Sequence, residues 1–166
     1  MLIAVLSDIH DNILNLDKAL QIIKQQPSEA LIYCGDFCAP FTAGILAQSG
    51  LQIYACFGNN DEDQSAIARQ LSATELFALT DEFGKIELAG KKIAFCHYPK
   101  LGELLANTGD YAAVFHGHTH KSYQKVVGKT LLANPGAVCG IVSGKSGPAS
   151  FGIYDSSTGE FALTNL

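Results

Sequence analysis

Charge is scarce in this 166-residue chain: 16% of its residues are Asp, Glu, Lys or Arg, and the formal net charge is −5. The eleven Lys and Arg are scattered apart from the pair Lys91-Lys92. No basic stripe is available to track a phosphate backbone, which argues against extended nucleic-acid binding. Long apolar runs are missing too, so no transmembrane segment is expected. The stretch from Met1 to Ser7 lacks the basic start and long apolar core of a secretory signal, being interrupted at Asp8 and followed by Asp11 and Asp17. Neither a linker nor an internal repeat shows itself. Cysteines number five (Cys34, Cys38, Cys56, Cys96, Cys139), each at or next to a predicted strand. There a reduced Cys serves as a small buried hydrophobe, and a reducing cytoplasm is the expected location. Cys34 and Cys38 bracket Gly35-Asp36, but no second close pair completes a tetrahedral thiolate site.

What is present is apolar: 48% of residues are hydrophobic, enough to exclude disorder and to build one core. A single domain over residues 1–166 is expected. Five apolar segments each stop at a polar cluster. LIAVLS runs into Asp8-Ile9-His10-Asp11-Asn12, LIYCG into Asp36, IYACFG into Asn59-Asn60-Asp61, KIAFC into His97, and AAVFHG into His118-Thr119-His120. Such short runs rich in Ile, Val, Phe and Tyr are expected as strands buried on both faces, and open α/β sheets bind ligands beyond the carboxyl ends of their strands.

The first half is expected to run βαβαβ. Asp11 or Asn12 caps a helix carrying Ile13, Leu16, Leu20 and Ile23 at helical spacing, and Pro27 ends it. Further helices are expected near 41–47 and 63–71, and right-handed crossovers make this sheet largely parallel. Later, strands at 85–88 and 92–96 flank an Ala-Gly turn, a helix follows near 101–106, and a strand covers 112–115. Short strands at 122–127, 130–133, 150–154 and 161–164 suggest a second, more antiparallel sheet. The glycine-rich run from Gly136 to Gly147 is expected to be a flexible surface loop, with Lys145 in reach of an anion.

Asp8 and His10, two apart at a strand end, can project to one side about 7 Å apart and share one ion. His118 and His120 repeat the device, a span that lets one histidine meet each of two ions about 3.5 to 4 Å apart. Asp36 offers two oxygens, one for each. Asn59 adds a neutral oxygen and His97 an imidazole. This mixed nitrogen and oxygen set suits Mn²⁺, Fe²⁺, Zn²⁺, Co²⁺ or Ni²⁺ better than Ca²⁺ or Mg²⁺. Two divalent ions, two carboxylates and one hydroxide leave the centre positive, a focus for a phosphate group. Any one of these residues could be a cap or a core residue, but four of the five histidines fall at these strand ends.

In order, Ser7-Asp8-Ile9-His10-Asp11-Asn12, Gly35-Asp36, Gly58-Asn59-Asn60-Asp61, His97 and Gly117-His118-Thr119-His120 resemble the motifs of the calcineurin-like metallophosphoesterases. Asn134-Pro135-Gly136-Ala137 is similar to the closing turn of their small bacterial and archaeal phosphodiesterase branch. The resemblance implies a four-layer α/β/β/α sandwich of two mixed sheets. It implies two transition-metal ions: Asp8, His10, Asp36 and His120 would hold one, Asp36, Asn59, His97 and His118 the other, with Mn²⁺ the expected ion. Asp61 would orient a neighbouring group, or else cap the helix near Asp63. Many relatives carry His where Asn60 stands, and an amide cannot act as a general acid near neutral pH. Asn60 is therefore expected to bind substrate by hydrogen bonding, while His116 falls out of register as a packed or supporting histidine.

The implied function is hydrolysis of a small phosphodiester by a metal-bridging hydroxide. A phosphomonoesterase or nucleotide pyrophosphohydrolase on the same centre is an alternative, as is a non-catalytic scaffold binding partner proteins. A homodimer or homotetramer is the assembly the resemblance suggests, with no membrane partner.

Overall fold

The computed structural model describes residues 1–166. Strand β1 (Leu2–Leu6) leads to helix α1 (Ile13–Lys24), then β2 (Ser28–Tyr33), α2 (Pro40–Ala47), β3 (Gln52–Cys56), α3 (Gln64–Leu71) and β4 (Phe77–Thr80). The hairpin of β5 (Phe83–Leu88) and β6 (Lys91–Cys96) follows, then α4 (Pro99–Thr108), β7 (Ala113–Phe115), β8 (Tyr123–Val127) and β9 (Thr130–Asn134). A two-residue pair, β10 (Ile141–Val142) and β11 (Lys145–Ser146), precedes β12 (Ser150–Asp155) and β13 (Phe161–Asn165).

The strands form two mixed sheets, ordered β13-β12-β1-β2-β3-β4 and β5-β6-β7-β9-β8. Alternation along each strand sends its side chains to two different apolar layers. On β1, Ala4 and Leu6 pack with Leu16, Leu20 and Ile23 of α1, while Ile3 and Val5 face the other sheet and meet Phe95, Phe115 and Tyr154. Helix α4 covers the outer face of the second sheet through Ala106 against Ala94, Val114 and Leu132. The result is the expected four-layer α/β/β/α sandwich, with three helices outside the first sheet and one outside the second.

Three expectations need correction. The C-terminal strands belong to the first sheet: β12 pairs antiparallel with β1, Ile3 opposite Tyr154, and β13 lies beyond it. Strand β4, parallel to β3, was not anticipated; its four residues, Phe77 to Thr80, lack the alternation that signals a half-buried strand. The run from Gly136 to Gly147 is not uniformly a surface loop. Ala137 and Val138 are fully buried and Cys139 nearly so, because Val138 N–H donates to Ser7 O and Cys139 N–H to Asp8 O. Asn15 Nδ2 and Asn12 Nδ2, at the start of α1, donate to Val138 O and Cys139 O. Glycine there gives close approach: a Cβ on Gly136 would overlap the Ser150 hydroxyl. Only beyond Gly140 does the segment turn outward, as the β10–β11 hairpin.

Candidate metal centre

The carboxyl ends of β1, β2, β3, β6 and β7 lie together, and all seven anticipated ligand residues converge just past them. They do so with unusual backbone. Asp8, His10, Asp36, His118 and His120 all have φ between 44° and 71°, in the left-handed region, where an L-residue costs roughly 1–2 kcal/mol. The i, i+2 pairs thus converge through left-handed turns beyond the strand ends and not through strand alternation. Cross-loop bonds hold the turns: Asp8 N–H donates to Gly35 O and His10 N–H to Asp36 O. Gly117 N–H donates to His97 O, and His118 N–H is 3.0 Å from Asp8 Oδ2.

Two clusters of ligand atoms share one oxygen. In the first, His10 Nε2 is 3.1 Å from His120 Nε2 and 3.3 Å from Asp36 Oδ2, and His120 Nε2 is 3.5 Å from Asp8 Oδ1. In the second, Asn59 Oδ1 is 2.9 Å from His97 Nε2 and 2.8 Å from His118 Nδ1, and His97 Nε2 is 3.5 Å from Asp36 Oδ2. The two oxygens of Asp36 do not serve one cluster each. Oδ2 faces both, while Oδ1 accepts the Asn60 backbone N–H at 2.8 Å.

The tautomers show why these distances call for cations. His97 Nδ1–H donates to Cys34 O and His120 Nδ1–H to Ile141 O, which aims each Nε2 into the cluster. At His97 that Nε2 faces the Asn59 carbonyl oxygen and the Asp36 carboxylate, an arrangement that is repulsive unless positive charge lies between them. Atoms about 2.0–2.2 Å from one ion at tetrahedral or cis-octahedral angles stand about 2.8–3.6 Å apart, a range that holds the distances above, while His10 Nε2 and Asp8 Oδ1 stand wider, at 3.9 Å. Burial holds His10 and His97 below the usual imidazole range, so both are neutral and able to donate at neutral pH. Burial pushes the Asp8 carboxyl up to about 8, with Asp36 adding repulsion; a nearby divalent cation reverses that preference.

Residues behind the clusters fix them in place. Asp61 is buried, its Oδ2 accepting from Asp36 N–H at 3.0 Å and Gly58 N–H at 2.7 Å and its Oδ1 from Cys38 N–H at 2.9 Å. It staples the loops after β2 and β3 together, and the helix cap is Asp63 instead, which accepts from Ala66 N–H. Asn60 is exposed, yet its side-chain Nδ2 donates to Asp36 Oδ2 at 2.8 Å, so the amide rests on the shared carboxylate. His116 is buried, donating through Nδ1 to Gly117 O and accepting from the Tyr123 hydroxyl at 2.6 Å.

Sequence reasoning assigned no role at the site to several neighbours. Asn134 Nδ2 donates to Gly117 O and Thr119 Oγ1, and its Oδ1 accepts from Gly136 N–H, so the Asn-Pro-Gly turn grips the loop that carries His118 and His120. Cys38 Sγ lies 3.4 Å from His10 Nδ1 and Cys139 Sγ 3.7 Å from His120 Nδ1, so these two thiols border the site and are not mere core filling. Tyr98 stands beside His97 and His118, flagged in the sequence only by adjacency.

The model of the calcineurin-like phosphoesterase superfamily domain matches residues 1–159, and this chain belongs to that superfamily. Among particular relatives, Phosphodiesterase MJ0936 of Methanocaldococcus jannaschii is 31% identical over 163 residues, 97% of this chain and 96% of that protein. A solved structure of an archaeal phosphodiesterase matches all of both chains with a TM-score of 0.91 at 30% identity. The fold alone is shared with YfcE, a phosphoesterase from E. coli (TM-score 0.70, 19% identity, covering 99% of this chain and 98% of that one). It is also shared with Vacuolar Protein Sorting 29 from Cryptosporidium parvum (TM-score 0.68, 18% identity, covering 99% and 96%).

Proposed function

We propose that this chain is a metal-dependent phosphodiesterase acting on small phosphodiesters, with two divalent transition-metal ions, Mn²⁺ foremost, held on either side of Asp36. The observation that carries the reading is the convergence of imidazole nitrogens and carboxylate oxygens on two positions sharing Asp36 Oδ2. Asp8, His10, Asp36 and His120 would hold one ion, and Asp36, Asn59, His97 and His118 the other. Ions held by these residues would supply a water of lowered pKa, toward about 7, and charge to offset the phosphoryl oxygens. The protein's own part is orientation. Left-handed turns aim the ligands, Asp61 locks the loops of β2 and β3, and Asn60 steadies the shared carboxylate.

The preference for diesters rests on what surrounds the leaving group. Asn60 donates hydrogen bonds but has no acidic proton to give a poor leaving oxygen, so substrates with good leaving groups are favoured. Relatives of this fold include a phosphodiesterase and a sorting protein, so fold alone does not choose between catalysis and scaffolding; the intact ligand set favours catalysis. All seven ligands come from one chain, so the chemistry does not require the proposed dimer or tetramer. No helix is long and apolar enough to cross a membrane, and five free cysteines fit a cytoplasmic location.

The test is hydrolysis of bis-p-nitrophenyl phosphate against p-nitrophenyl phosphate across Mn²⁺, Ni²⁺ and Co²⁺, with and without a chelator. A metal-dependent preference for the diester is expected. Preference for the monoester would move the assignment to a phosphomonoesterase, and no turnover with any ion would favour the scaffold.

A further inference from the structure

The rim of the centre carries apolar surface, and its neighbouring cations are lysines, Lys121 next to His120 and Lys145 on the β10–β11 hairpin. The chain's one arginine, Arg69, lies in the last turn of α3 and not among the ligand loops, so no guanidinium fork is positioned there for a polyphosphate or a second phosphate. On the side of His97 and His118 stands Tyr98, 46% exposed, its ring centroid 5.1 Å from that of His118 and 5.2 Å from that of His97. On the opposite side, beside His120, stands Ile141, 44% exposed, whose carbonyl accepts His120 Nδ1–H. A phosphodiester carries one substituent on each side of phosphorus. With its phosphate at the centre, one arm would extend toward Tyr98 and the other toward the β10–β11 hairpin.

Tyr98 is not needed to build α4. It occupies the N-cap position without a side-chain cap bond, its backbone is extended, and Pro99 begins the helix. The ring packs on the imidazoles of His97 and His118 yet stays 46% exposed, which leaves ring surface open to a flat partner.

We infer that Tyr98 is a stacking platform for the arm that stays on phosphorus, selecting diesters in which that arm is an aromatic ring, either an aryl group or a nucleobase, over diesters in which it is an alkyl group. The inference rests on the phosphodiesterase reading and names the substrate class of the same site. Stacking of a base on an aromatic side chain is worth about tenfold or more in binding, or about 1.4 kcal/mol.

The experiment uses three diesters with the same leaving group, the p-nitrophenyl esters of thymidine 5′-phosphate, phenyl phosphate and ethyl phosphate, so that leaving-group acidity cancels. With Mn²⁺-loaded protein, KM for the aromatic-arm diesters should lie about tenfold below that for the ethyl diester, with kcat little changed. Tyr98→Ala should abolish that ratio and Tyr98→Phe should keep it, metal content being equal in all three proteins. The thymidine and phenyl arms distinguish a nucleobase site from a general aryl site. In parallel, calorimetry should read tighter binding of thymidine 5′-monophosphate than of methyl phosphate, a gap lost in Tyr98→Ala. Equal KM values across the three diesters, or a ratio untouched by Tyr98→Ala, would overturn the inference while leaving the phosphodiesterase reading intact. Absence of all turnover with the calorimetric gap preserved would do the reverse.

Discussion

Asn60 is the position where this chain most informatively departs from the pattern it resembles. Its amide donates to the carboxylate oxygen shared by the two clusters. Removing that donor in Asn60→Ala should weaken metal binding about 10- to 100-fold, the usual effect of losing a group that orients a ligand. The fold should survive, since the backbone N–H of residue 60 still holds Asp36 Oδ1. Titration of the chelated variant with Mn²⁺, followed by calorimetry, checks this; unchanged affinity would mean the bond is incidental. Asn60→His should narrow the gap between diester and monoester turnover, because an imidazole can assist a poor leaving oxygen, an effect worth about 10² to 10⁴ where geometry permits. The readout is the ratio of kcat/KM for the paired esters at matched metal content, and a constant ratio would assign the preference to the surrounding loops.

Among elements, the loops after β1, β2, β3 and β7 act as one body joined by buried polar bonds. Asp61→Ala would leave three backbone N–H groups, on Asp36, Cys38 and Gly58, without their carboxylate. Charge-assisted bonds of this kind are worth about 1.5–3 kcal/mol each before relaxation and water entry. A net loss of about 2–4 kcal/mol in denaturant unfolding is expected, and a loss under 0.5 kcal/mol would remove the staple from the account. The convergence of five strand ends on one rim was legible because each apolar run terminates at a chemically distinctive residue. The left-handed turns that aim Asp8 and His10 were not legible, since nothing in Ser-Asp-Ile-His announces positive φ at non-glycine residues. Nor was the partnering of β12 with β1: strand pairing between chain ends is set by which sheet edge is free, a global property that local pattern does not carry. Burial of Ala137 and Val138 escaped notice because neighbouring glycines suggested flexibility, whereas the flanking backbone is clamped by Asn12 and Asn15.

Across the whole molecule, the candidate centre gathers buried carboxylates and imidazole nitrogens at a cost that bound cations would offset. Any ligand that binds only the folded chain raises stability, by about 2.7 kcal/mol at a hundredfold excess over Kd. Chelator-treated protein should therefore melt at lower temperature than the Mn²⁺-loaded form and recover when Mn²⁺ is returned. Identical melting curves would argue against specific sites. The ligands are spread over five strand ends from Asp8 to His120, so the stabilisation should be felt by both sheets and not by one loop. The gathering of ligand atoms into two clusters was anticipated from the number of candidate ligand residues. The single shared oxygen was not, because residue type cannot say which atom of a carboxylate is already engaged by a backbone amide.

The most direct test of the account is elemental analysis of the Mn²⁺-reconstituted protein and its Asp36→Asn variant, paired with bis-p-nitrophenyl phosphate hydrolysis on the same samples. The variant keeps the shape of residue 36 while removing the charge that faces both clusters. Two metal ions per chain are predicted in the unaltered protein, with metal content and diester hydrolysis falling together in the variant. Two ions per chain and near-normal hydrolysis in Asp36→Asn would contradict the shared-carboxylate centre on which the functional reading stands.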